Sequence, residues 1–302
     1  MTQWKWGGGV SGPDKKGMNP MNHVKVDDRS GLEVARMLDG LVKKKCRAPV
    51  TEMLLLGVLA GIYIGFGAMG ATTVTGLGGL PPALSKFLAA SVFCVGLILV
   101  VIPGSELFTG NILMVVSLVN REVSAARVLR NWSFVYLGNF LGSVLLALAI
   151  FGAGLLGTPE EPSAVGRAAA AIAEAKIGLG LGEAFLRGVL CNMLVCLAVI
   201  LALASRTVAG KILGIYFPIM VFVLCGYEHS IANMYFLPAG LLVKGRFLAD
   251  FWTMFHNLVP VTLGNILGGM LVVLLHPARA KRILNPPRPG GAAPAEGEKA
   301  EG

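Results

Sequence analysis

Of 302 residues 55% are apolar and only 14% charged, and mean hydropathy is +0.70. A soluble domain carries nearer a quarter charged residues because its surface must face water, so this composition excludes a soluble globule and implies an integral membrane protein. The +9 net charge is then read by location, as Lys and Arg collected on the cytoplasmic side, and no nucleic-acid partner is expected. The five cysteines are scattered without disulfide or metal-ligand spacing, so neither a disulfide scaffold, a metal nor a cofactor is expected.

Residues 1–50 are polar and Gly-rich, without an apolar run of signal-peptide type. Leu32, Ala35, Leu38, Leu41 and Val42 recur near helical spacing just before Lys43-Lys44-Lys45, which predicts an amphipathic helix at the membrane surface, or a lid. Six spans follow, at about 51–70, 88–119, 132–156, 184–204, 211–243 and 257–276, within a transporter domain placed at 51–280. Residues 281–302 close the chain as a Pro-, Gly-, Ala- and Glu-rich tail expected to be disordered.

The second and fifth spans exceed the roughly 20 residues needed to cross the hydrocarbon core. Each carries polar residues in its middle, Gly104-Ser105-Glu106 and Gly226-Tyr227-Glu228-His229. Broken helices are tolerated at membrane depth only where protein buries them or they line a cavity, so the two breaks mark a pore. With the N-terminus inside, 20 of the 26 Lys and Arg residues fall on the inner side, placing both termini in the cytoplasm.

An internal repeat ties the spans together. Glu52-x4-Gly57-Val58-Leu59 is echoed by Glu183-x4-Gly188-Val189-Leu190, Glu106-x4-Asn111 by Glu228-x4-Asn233, and Asn131-x6-Gly138-Asn139-x2-Gly142 by Asn257-x6-Gly264-Asn265-x2-Gly268. Two halves of three spans each, about 51–156 and 184–276, must run in opposite senses, and inverted repeats with discontinuous helices are a transport architecture.

The stretches Ser105-Glu106-Leu107-Phe108-Thr109-Gly110-Asn111, Gly226-Tyr227-Glu228-His229-Ser230-Ile231-Ala232-Asn233-Met234 and Asn257-Leu258-Val259-Pro260-Val261-Thr262-Leu263-Gly264-Asn265 together resemble the formate/nitrite transporter family, over about residues 30–280. The resemblance implies an all-α, aquaporin-like fold of six transmembrane helices in inverted three-helix repeats with helices 2 and 5 broken, a homopentamer with one pore per subunit, and movement of small monovalent anions. It further implies that the loop at Leu107, Phe108 and Thr109 faces His229 with Asn265 nearby. Leu97, Leu107 and Phe108 would form the inner constriction, Phe93 and Phe222 the outer one, and Lys176 would match the family's vestibule lysine. Gly110-Asn111 after Thr109 departs from the Ser-Thr pair of the best-known formate channels and leaves substrate preference open.

Read on their own chemistry, these residues divide. His229 is the only histidine inside a span, and an ionisable group at membrane depth points to function; a free imidazole titrates near 6.5, which suits proton exchange. Glu106 and Glu228 could carry protons, but as acids on an anion path they are expected to cap loop amides at half-helix starts, with Asn111 and Asn233 structuring the same loops. Lys176 is either an anion attractor or a solvated loop lysine, and Asn265 and Asn139 either face the pore or bridge helices. The expected activity is transport of a small monovalent anion, formate first, moved with a proton, in a homopentamer in the cell membrane's lipid bilayer. Nitrite and hydrosulfide are the alternatives within the family, and a neutral-solute channel of water or glycerol type is more distant, since paired Asn-Pro-Ala loops are missing. Catalysis is not expected: one mid-membrane histidine does not suit a b-type haem, and hydrolase motifs are lacking.

Overall fold

The computed structural model describes residues 28–275, all-helical apart from one isolated bridge between Gly157 and Pro162. The expectations for the polar start and for the C-terminal tail lie outside the described residues. In chain order the helices are α1 (Gly31–Arg47), α2 (Val50–Leu77), α3 (Pro82–Phe93), α4 (Val95–Val101), α5 (Phe108–Asn111), α6 (Val115–Val119), α7 (Ala125–Gly152), α8 (Ala164–Ile177), α9 (Leu181–Ala204), α10 (Val208–Leu224), α11 (Ser230–Val243) and α12 (Met254–Leu275).

Five segments among the described residues are long and apolar enough to cross a membrane: Val50–Leu77, Pro82–Val101, Ala125–Gly152, Leu181–Ala204 and Phe251–Leu274. This makes the chain a multi-pass membrane protein. The expected span 211–243 is two shorter helices, α10 and α11, and the expected 88–119 starts earlier, at Pro82, and stops at Val101 before resuming at Phe108. Gly104 (φ +92°) and Gly226 (φ +72°) turn the chain at these breaks, in a region that side chains with a Cβ rarely adopt. The alanine-rich sequence between the expected spans forms α8, started by the Ser163 hydroxyl, which accepts from Gly166 N, and ended at Gly178.

Two pairs, α2 with α7 and α9 with α12, approach so closely that backbone meets backbone. A Cβ on Gly142 would strike the Val58 carbonyl and one on Gly268 the Val189 carbonyl, which is what the small-residue spacing supplies. The core around Met53, Ile64, Phe93, Ile219, Met234 and Leu237 is apolar, while leucines such as Leu55 and Leu186 face outward at 67% and 61% exposure, as lipid requires. On the apolar face of α1, Val42 and Cys46 pack on Met114, Val123 and Val128. Polar ties complete its docking. Arg29 donates to the carbonyls of Leu203 and Ser205, Ser117 donates to Asp39, and Lys43 pairs with Glu122.

Candidate functional site

A cavity of about 450 Å3 opens between α2, α3, α8, α10 and α11, and His229 lies in its lining with Phe93, Phe222, Lys176 and Glu228. At its inner end His229 and Thr109 meet, Thr109 Oγ1 standing 2.9 Å from His229 Nε2, and both residues are buried. The opposite ring atom is committed, because His229 Nδ1 accepts from Ala232 N at 3.1 Å and thereby caps α11. The neutral ring therefore carries its hydrogen on Nε2 and donates it to the Thr109 hydroxyl. Phe222 stacks on the imidazole at 5.9 Å and meets Phe93 edge-on at 5.5 Å, so the two phenylalanines stand directly outside His229.

The exposed backbone of each break is closed by one amide from a distant helix. Asn139 accepts from Phe108 N and donates to the carbonyls of Gly57 and Glu106. Asn265 does the same at the other break, accepting from Ser230 N and donating to the carbonyls of Gly188 and Glu228. An unpaired backbone group in surroundings this apolar costs several kcal/mol. Asn265 is thus not a pore amide: both ends of its side chain are taken by scaffold. The amide beside the Thr109–His229 pair is Asn192, buried on α9, whose Nδ2 donates to Thr109 O and Asn265 O while its Oδ1 stays unpaired. The neighbouring Ser230 hydroxyl is also buried and unpaired.

The two break carboxylates are held alike. Glu228 accepts from Lys176 (2.8 Å) and Asn233 (2.6 Å), and Asn233 donates on to Asn257. Glu106 accepts from Lys45 (2.7 Å) and Asn111 (2.7 Å), and Asn111 donates on to Asn131. Both carboxylates were expected to accept from loop amides. They take Asn side chains and an ammonium instead, because Asn139 and Asn265 already hold the backbone N–H groups. Lys176 is accordingly not a solvated loop lysine; it belongs to α8, is mostly buried and also lies 5.2 Å over the Phe236 ring. Sequence reasoning missed Lys45, though its signal was present: it precedes Lys176 by the same offset that separates Glu52 from Glu183. It also missed Asn192, whose counterpart at that offset is Gly61.

Of the expected inner constriction, Leu97 and Leu107 are buried in the core. Phe108 turns to α7, packing edge-on against Tyr136 (4.9 Å) and Trp132 (6.1 Å). It lines a second, outward-facing cleft of about 330 Å3 with Leu129, Val259 and Leu263. Among the described residues no group of three His, Cys, Asp or Glu could hold a metal ion.

Comparison with known proteins places this geometry. The formate/nitrite transporter family profile matches residues 32–278. The chain is 42% identical over 260 residues to a probable formate transporter of Methanothermobacter thermautotrophicus, covering 81% of this chain and 94% of that protein. It is 33% identical over 253 residues to the formate channel FocA of Escherichia coli (strain K12), covering 77% and 87% respectively. Among solved structures it is similar to a pentameric formate channel with formate bound, at TM-score 0.64 and 35% identity, covering 74% of this chain and 94% of that one. Both the sequence match, which spans nearly all described residues, and the shared helical architecture lead to one assignment: the chain belongs to the formate/nitrite transporter family, whose members are transporters and channels, not enzymes.

Proposed function

We propose that this chain forms a homopentamer in the cell membrane and that each subunit passes small monovalent anions, formate first, through a pore of its own together with a proton. In this reading α10 with α11 is a sixth crossing broken at its middle, the chain is two inverted halves of aquaporin-like form, and both termini face the cytoplasm. The observation that carries it is the buried Thr109–His229 contact at the meeting point of two helix breaks, with an apolar-walled vestibule leading to it. The formate channels among its relatives support formate as the first substrate.

Charge is the physical problem. Moving a carboxylate-sized ion into a dry, low-dielectric passage costs on the order of 20 kcal/mol in an idealised Born estimate. Behind Phe93 and Phe222 the anion loses water and becomes more basic, since low dielectric penalises its charged form. It meets there a ring N–H, a hydroxyl and the N-terminal end of α11, whose dipole favours negative charge. A proton delivered at this point lets the acid cross the inner apolar stretch at Leu97 and Leu107 neutral.

The cap on α11 favours a second reading. His229 Nδ1 is engaged by Ala232 N, so a proton added there would break that bond; a ring that stays neutral only donates, and the anion then moves alone and responds to voltage. Formate flux and internal pH, recorded together in proteoliposomes across pH 5 to 8, separate the two. In His229→Phe, proton-coupled uptake should vanish with assembly intact. His229→Asn should keep flux and lose its pH dependence. Unchanged coupling in assembled His229→Phe would remove His229 as the proton relay, and native flux of formate, nitrite and hydrosulfide no higher than in empty liposomes would remove the transport reading altogether.

A further inference from the structure

We propose that Lys86, a residue outside every role assigned above, is the anion-capturing charge of the outer vestibule, and that with Ser85 it forms a first binding station for a small monovalent anion before the anion reaches Phe93 and Phe222. The inference deepens the transport reading and rests on it.

The vestibule lining holds three formal charges: Lys86, Lys176 and Glu228. Two of them cancel. Both carboxylate oxygens of Glu228 accept from the Lys176 ammonium, at 2.8 and 3.0 Å, and the pair is largely shielded from solvent. A closed ion pair presents a dipole to an approaching ion, with a field that falls off faster than that of a single charge. The remaining positive charge of the cavity is Lys86, exposed on the second turn of α3. Among the described residues it has no ion-pair partner. Of the other charges on this side, Glu174 pairs with Lys244, Glu183 with Arg187 and Asp250 with Arg246, Arg167 donates to the Pro162 carbonyl, and these residues, like Glu160 and Glu161, lie outside the lining. A lone cation in a cleft with apolar walls concentrates anions, because low-dielectric walls focus its field. The Ser85 hydroxyl in the same lining supplies a donor to an anion held at that ammonium, whereas the Thr75 hydroxyl donates to the Ala71 carbonyl.

The alternative is a lysine that extends to lipid headgroups and has no part in transport. The test uses the native full-length chain in neutral phosphatidylcholine vesicles, so that lipid charge contributes nothing, with formate as the probe. At about 10 mM salt, where the screening length is about 30 Å, Lys86→Gln should raise the half-saturating formate concentration about tenfold. At physiological salt, with a screening length of about 8 Å, the increase should shrink to about twofold. Maximal flux should be unchanged and Lys86→Arg should resemble the native protein. As a second route, Lys86→Cys in a Cys225→Ser background should regain low half-saturation after a cationic thiosulfonate reagent and lose more after an anionic one. Half-saturation in Lys86→Gln equal to native at low salt, or a thiol variant indifferent to the sign of the added charge, overturns the capture site while native flux persists. Absence of native formate flux is a different failure, that of the transport reading, and overturns both.

Discussion

Asn139 and Asn265 do for a broken helix what its own backbone cannot. Each supplies one acceptor and two donations, to two main-chain groups of its break and one carbonyl of a neighbouring helix, so under the proposed transport reading the side chains left to face a permeant are Thr109, His229, Asn192 and Ser230. The carboxylate of Glu228 secures the same loop through Lys176 and Asn233. Breaking a buried ion pair from one side strands a charge and costs about 3–5 kcal/mol, whereas replacing both partners with apolar residues is often nearly neutral. Lys176→Met and Glu228→Leu should therefore each lower the detergent melting temperature steeply, while the double variant should recover a large part of the loss. A melting-temperature change in the double variant equal to the sum of the single ones would mean that the pair is not coupled.

At the scale of helices, the close pairs α2–α7 and α9–α12 depend on residues without a side chain. Gly268 faces the Val189 carbonyl, whereas Gly152 has nothing within 4 Å of a built Cβ. Gly268→Ala should destabilise by about 1–3 kcal/mol through overpacking, and Gly152→Ala should be neutral within about 0.5 kcal/mol. Thermal melting of both in the same detergent checks the contrast. Helix α1 is held differently, by polar ties at the bundle end. Burial pushes the Asp39 carboxyl up, but a hydrogen bond shared with Glu122 and donations from Lys43 and Ser117 outweigh it and hold it down at about 2, below its ordinary 3.8. A carboxyl lowered by folding stabilises above its ordinary value and loses that contribution as pH falls through the lowered one. The docking of α1 should thus be constant above about pH 4 and weaken between 3.8 and 2, by less than about 1 kcal/mol because solvent screens the site. Pepsin cleavage at the junction of α1 and α2 should rise across that window in the native protein, and Asp39→Asn should show the raised level already at pH 4.

For the molecule as a whole, the surface of outward leucines and the membrane-facing cleft at Phe108, Leu129 and Val259 must meet lipid or another subunit. Under the proposed assembly, native mass spectrometry should give five copies of the 31.7 kDa chain and particle images fivefold symmetry; any other stoichiometry would contradict the pentamer while leaving the pore within one subunit untouched.

The membrane class, the two broken segments and the pairing of Glu106 with Glu228 and Asn139 with Asn265 were legible in the sequence. Composition, span length and repeat spacing are local quantities, and bilayer thickness translates them directly into structure. Which atoms those residues use was decided only by tertiary contact. Asn265 turns to the scaffold because Ser230 N and two carbonyls converge on it. Lys176 closes on Glu228 because the alanine-rich stretch before it coils into α8 and brings it there. Lys45, read along the chain as the end of a basic run, reaches Glu106 from 61 residues away because Val42 and Cys46 of α1 pack on Met114, Val123 and Val128. Sequence distance carries no record of such meetings, since a hydrogen bond between remote residues depends on where whole helices pack, and packing is a property of the assembled surfaces.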